Sequence, residues 1–111
     1  MEHSIDLYYL NQICFNDSKI LDEMLDEWKI DTSNRIQEYN LNGPECSEKI
    51  LFQMVHTLKT NFFMIGCVKM IRKCEDFIHS KHNAEIILNF GIDLNLAFEE
   101  VCELLEKTNP H

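Results

Sequence analysis

At 111 residues, with 45% apolar and 26% charged side chains, the chain is long enough to bury one continuous core and too short for two, so a single domain over residues 1–111 is expected. A formal net charge of −9 argues against nucleic acid as a partner, because nothing would offset repulsion from the phosphates. Three glycines and two prolines leave little material for a turn-rich all-β fold, and charges interrupt every apolar run before it could cross a bilayer.

In chain order, a short first helix is expected near Ile5–Ile13, with Ser4 as its N-cap. Asn16-Asp17-Ser18 then offers capping oxygens to a longer second helix. There Ile20, Leu21, Met24, Leu25, Trp28, Thr32, Ile36 and Tyr39 recur at three- and four-residue spacing. Asn42-Gly43-Pro44 should stop that helix, glycine through a left-handed cap and proline because it cannot continue the ladder. Ser47 can cap a third helix running to about Ile65, and Gly66 marks a tight corner into a fourth with Val68, Met70, Ile71, Cys74, Phe77 and Ile78. The polar run His79-Ser80-Lys81-His82-Asn83 makes the next break, with Asn83 capping the last helix. Its apolar series is Ile87, Phe90, Leu94, Ala97, Phe98, Val101, Leu104 and Leu105. Gly91 inside that series implies a kink or a close helix contact, since it costs about 1 kcal/mol relative to alanine. No segment alternates with period two for long enough to form a strand. The expected fold class is therefore all-α, an up-and-down four-helix bundle with a short extra N-terminal helix.

The N-terminus, Met1-Glu2-His3-Ser4-Ile5-Asp6, lacks the basic start and apolar stretch of a signal peptide. Five cysteines (Cys14, Cys46, Cys67, Cys74, Cys102) are odd in number and form no CxxC pair. They read as reduced thiols, several at apolar helical positions. A cytoplasmic address follows by default, and a monomer without membrane contact is expected. The start at Met1 and the ending Lys107-Thr108-Asn109-Pro110-His111 favour a free-standing protein.

Charge is unevenly spread. Residues 1–45 carry three basic and ten acidic side chains (−7), residues 84–111 one and six (−5), and residues 46–83 six and three (+3). The basic stretch contains His56, and such a local field favours a bound or transferred anion, or an acidic partner; a solvated basic helix face is the plainer reading of charge alone. At about 100° per residue, Leu51, Met54, Val55, Leu58, Phe62 and Ile65 share one side of the third helix, with His56 roughly opposite. Lys59 lies one turn further along, and Phe52 and Phe63 sit about one turn before and two turns after His56, within roughly 40° of it.

Imidazole is a competent nucleophile near neutral pH, where much of it is unprotonated. Attack on an activated phosphoryl group needs an accessible ring nitrogen in line with the donor, and positive charge for the equatorial oxygens. Lys59, at i+3, can bring an ammonium; Thr60, at i+4, a hydroxyl; Gln53, at i−3, an amide. Phe52 and Phe63 would supply apolar area to a docking protein.

His56-Thr57-Leu58-Lys59, followed by Ile65-Gly66-Cys67, resembles the signature of histidine-phosphotransfer domains, in which an H-x-L-K-G core precedes a leucine-glycine-small corner. The likeness extends to Met70, Cys74 and Phe77 at the apolar positions after that corner, and to a bundle of about this length. It implies a phosphorelay intermediate of a two-component system. His56 would accept a phosphoryl group from a receiver-domain aspartate, Lys59 would be the phosphate-side cation, and the group would pass to another receiver. Response-regulator receivers, with a hybrid histidine kinase, would be the partners. The chain would bring no cofactor and no metal of its own, magnesium being expected on the receiver, and no Gly-rich nucleotide loop supplies kinase activity. Thr60 departs from the family's usual glycine and can alter which receivers fit. Asn61 stands where a small residue often follows; it points toward the interior, where it can bond a neighbouring helix.

Two other classes fit parts of the sequence. A receiver-binding module without phosphoryl transfer would use the same exposed aromatics. A metal-binding bundle would draw on Asp76, His79 and His82, spaced at i, i+3 and i+6, although no second helix offers a matching pair.

Overall fold

The computed structural model describes residues 2–108, in five helices: α1 (Tyr8–Ile13), α2 (Ser18–Asn42), α3 (Glu48–Met64), α4 (Val68–Ile78) and α5 (Ala84–Thr108). No strand occurs among the described residues. Met1 and residues 109–111, part of the basis for a free-standing chain, lie outside them. α3 packs most extensively on α4, α2 lies against both α3 and α5, and α4 closes the ring on α5. The result is an up-and-down bundle measuring 43 × 25 × 22 Å, with α1 at the end where α3 turns into α4. Among the described residues no helix is long and apolar enough to cross a membrane.

Local chemistry sets most boundaries. The Asp17 carboxylate accepts from the backbone N–H groups of Lys19 and Ile20, Ser47 Oγ from Ile50, and Asn83 Oδ1 from Ile86, each satisfying N–H groups that the first helical turn leaves unpaired. The faces follow the apolar spacing. Leu51, Val55, Leu58 and Phe62 of α3 join Trp28, Ile36 and Tyr39 of α2, Met70, Cys74 and Phe77 of α4, and Phe90, Leu94, Ala97 and Val101 of α5 in one contiguous core. Gly91 makes the close contact its position suggested, since a Cβ there would sit 2.7 Å from Asn40 Oδ1 and 3.3 Å from a Tyr39 ring carbon. Beside it the Tyr39 hydroxyl donates to the Ile87 carbonyl at 2.8 Å, clasping α2 to α5.

Two boundaries differ from the sequence reading. α1 begins at Tyr8, not Ile5, and Ser4 is not its cap. Residues 2–7 instead form an arm across the bundle end. The Asp6 N–H donates to the Ile65 carbonyl at 2.8 Å, and buried His3 places Nδ1 2.8 Å from Glu100 Oε2 while its backbone N–H donates to the same oxygen. Glu2 pairs with Lys69. These tertiary bonds hold residues 2–7 across the bundle end, and the Asp6 carboxylate accepts from the Tyr8 N–H at 2.9 Å where α1 begins. Gly43 is the second difference: it stays right-handed at φ −52°. The stop after Asn42 therefore comes from Pro44, which lacks a donor.

α3 ends differently. The Cys67 N–H donates to the Phe62 carbonyl and the Gly66 N–H to the Phe63 carbonyl, both at 3.0 Å. This is the paired hydrogen-bond pattern of a Schellman stop, with Gly66 in its left-handed position at φ +64°. A Cβ at Gly66 would also lie 2.5 Å from the Asp6 carbonyl oxygen and 2.9 Å from its nitrogen. Conformation and crowding therefore both demand glycine. Gly66→Ala is expected to cost about 2 kcal/mol or more, read as a lower urea midpoint in equilibrium unfolding.

A candidate functional site at an exposed histidine on the outer wall of the bundle

Burial of Val55, Leu58 and Phe62 on one side of α3 leaves His56 exposed on the other. α3 is held in this rotation by a polar contact with α2. Trp28 Nε1 donates to the Asn61 carbonyl at 2.7 Å, and the Asn61 amide donates to Asp31 Oδ2 at 2.9 Å and Thr32 Oγ1 at 2.8 Å. The Asn61 carbonyl belongs to the last turn of α3, where carbonyls lack partners within the helix. Asn61 thus faces inward and bonds a neighbouring helix. Asp31 also accepts from Arg35 Nε at 2.8 Å. Arg35 first, and then the Asn61 amide, hold the Asp31 carboxyl below the usual carboxylate range.

Lys59 is half-buried, and its Nζ lies 3.3 Å from Glu75 Oε1 on α4. The cation beside His56 is therefore tethered between α3 and α4 and shared with a carboxylate. Thr60 is exposed, and its hydroxyl donates back to the His56 carbonyl at 3.3 Å. Thr57 does the same to Gln53 at 2.9 Å. Gln53 itself is exposed. With Phe52, His56, Thr57 and Ile78 it lines a mainly apolar cleft of about 340 Å³. One rim of His56 thus opens onto an apolar hollow between α3 and the end of α4.

The two aromatics behave differently. Phe63 is exposed, with its ring 5.4 Å from Tyr9 in an edge contact. Phe52 is half-buried, because His82 from the loop after α4 sits 5.0 Å from its ring. His82 also stacks on Phe77 at 4.3 Å, and its Nε2 lies 2.6 Å from the Phe77 carbonyl. This packing removes His82 from the surface that a site with Asp76 and His79 would need. Among the described residues, the three potential ligand groups that converge are Glu2, His3 and Glu100. Their carboxylates are already engaged by Lys69 and by His3.

All five cysteines are free. Burial pushes the Cys74 thiol up to about 12 and raises Cys67 and Cys102 as well, which keeps these thiols protonated and poorly nucleophilic. Sequence reasoning missed Glu75, Ile78 and Tyr9. A signal for Glu75 existed: Lys59 lies about two turns before Gly66 and Glu75 about two and a half turns after it, so an α-hairpin brings them level. In comparisons with known proteins, no family model matches the chain, and no curated protein and no solved structure matches it significantly.

The lowered Asp31 carboxyl fixes the sign of one pH effect. Its ionised form stabilises the fold above its unfolded-state value, and that contribution disappears as pH falls through the lower folded value. Asp31→Asn should therefore lower stability at neutral pH and flatten the acid limb of a circular-dichroism unfolding series below about pH 4.

Proposed function

We propose that the chain is a phosphorelay intermediate of the histidine-phosphotransfer type. A ring nitrogen of His56 attacks the phosphorus of a receiver's aspartyl phosphate, the phosphorus–oxygen bond to that aspartate breaks, and the carboxylate leaves. In the return step a carboxylate of a second receiver attacks the phosphohistidine and the phosphorus–nitrogen bond breaks. Magnesium and the acidic pocket belong to the receiver. This chain contributes a nucleophile, a cation and a docking wall, so catalysis is shared across the interface.

The observation that carries the reading is an exposed His56 on the outer wall of an all-α bundle, one turn from a cation anchored at its side. The H-x-L-K core and the glycine corner, which resemble the family's signature, support it. Anchoring Lys59 on Glu75 reduces the entropy lost when its ammonium meets phosphate oxygens, while Glu75 competes for the same charge. Thr60 adds a branched side chain to the approach path, so partner choice should narrow relative to a glycine at that position.

The test is incubation with a phosphorylated receiver from the source organism. Wild type should acquire an acid-labile, alkali-stable phosphate and His56→Gln none. Signalling through the relay by His56→Gln in cells would instead favour a binding module. Lys59→Ala should slow transfer about tenfold, the loss of one charge-assisted hydrogen bond. Glu75→Gln, which frees the ammonium, should speed transfer two- to threefold, on the order of an exposed ion pair. Rapid-quench transfer kinetics would read both.

A further inference from the structure

α5 carries two apolar faces. Phe90, Leu94, Ala97 and Val101 are buried in the bundle core. Leu88, Ile92 and Leu96 face outward and are 65%, 49% and 53% exposed. With one turn between neighbours, these three form a ridge about 12 Å long on one side of the helix. Single exposed aliphatic side chains are ordinary. Three in register at four-residue spacing make the kind of ridge that most often packs into the groove of another helix.

Charge frames that ridge. No basic residue occurs between Ala84 and Glu106. Asp93 is taken up by Lys73 and Glu100 by His3. Exposed Glu85, Glu99 and Glu103 have no ion-pair partner among the described residues. All three fall within roughly 20° of Ile92 on the helical wheel. Glu85 therefore closes one end of the ridge, and Glu99 and Glu103 the other. We propose that this face of α5 docks a basic amphipathic helix of another protein, its apolar seam on the ridge and its lysines or arginines against the three carboxylates.

The same carboxylates decide against a second copy of this chain. In an antiparallel pair centred on Ile92, the ridges would match, but Glu85 would meet the copy's Glu99. In a parallel pair each glutamate would meet its own equivalent. Like charges set opposite one another disfavour both arrangements, and an anionic lipid surface is disfavoured in the same way. The position in the bundle gives the surface its use. α3 and α5 both pack on α2 and α4, so they lie diagonally and their outer faces point in opposite directions. A helix seated on α5 leaves His56 open, and one protein can hold the chain while its histidine meets another. This surface does not depend on the phosphorelay reading.

The experiment uses the full chain and two labelled synthetic helical peptides with leucines at i, i+4 and i+8. One peptide is flanked by lysines and the other by glutamates. Fluorescence anisotropy should show the lysine peptide binding about tenfold or more tighter than the glutamate peptide. Ile92→Gln and Leu96→Gln leave the charge unchanged, and each should weaken that binding about tenfold. Circular-dichroism melts of both variants should stay within a few degrees of wild type. Carbethoxylation of His56 by diethyl pyrocarbonate, read by mass mapping, should proceed at the same rate with the lysine peptide bound. Binding that survives both substitutions would be general attraction to an acidic chain and would overturn the proposal. So would equal affinity for the two peptides, or no affinity for either. A wild-type dimer in sedimentation that Ile92→Gln dissociates would overturn it too, since the occupant would then be a second copy. Protection of His56 by the bound peptide would overturn the independence of the two faces.

Discussion

The rotation of α3 about its own axis is the constraint on which the remaining features depend. Its apolar stripe sets that rotation coarsely, and the Trp28–Asn61–Thr32–Asp31 contact sets it finely. Apolar burial has no preferred direction, so a greasy stripe alone tolerates small rolls of a helix. Hydrogen bonds from a buried indole and amide do not tolerate them, because a modest roll would leave polar groups unpaired in the interior. With that angle fixed, His56 faces water, Lys59 leans on α4, and Phe63 emerges beside α1.

The site joins two unlike surroundings. Towards the start of α3 lie the cleft lined by Phe52 and Ile78 and the His82 ring that covers Phe52. Towards its end lie Phe63 and the uncharged α1. Between them stand one imidazole and one ammonium that is partly neutralised by Glu75. In the proposed phosphorelay, which loads and unloads an anion, a fully free cation would stabilise the phosphorylated form more strongly and slow its discharge.

Much of this could be read in the residues themselves. The stripe from Leu51 to Ile65, the caps at Asp17, Ser47 and Asn83, and the corner at Gly66 are local signals, and each corresponds to a feature of the fold. What escaped depends on residues far apart in sequence. Ile5 and Leu7 fit a helical pattern, yet the Ile65 carbonyl captures the Asp6 N–H and ties the arm across the bundle end. On a helical wheel Phe52 and Phe63 are equivalent; only packing against His82 makes one half-buried and leaves the other open. His82 entered only the disfavoured metal-site alternative, because ring stacking has no spacing signature. Phe15, left-handed at φ +54° where α1 stops, gave no warning either, since such a stop is normally announced by glycine.

The arm of residues 2–7 has a kinetic consequence. Its bonds join His3 to Glu100 across 97 positions of sequence, whereas the α3–α4 hairpin closes through the short Gly66 corner. Ring closure over so long a span carries a large entropic penalty until the bundle has brought both ends together. The arm is therefore expected to dock last, after the rate-limiting barrier. Weakening it should accelerate unfolding and leave the refolding limb of a chevron almost unmoved.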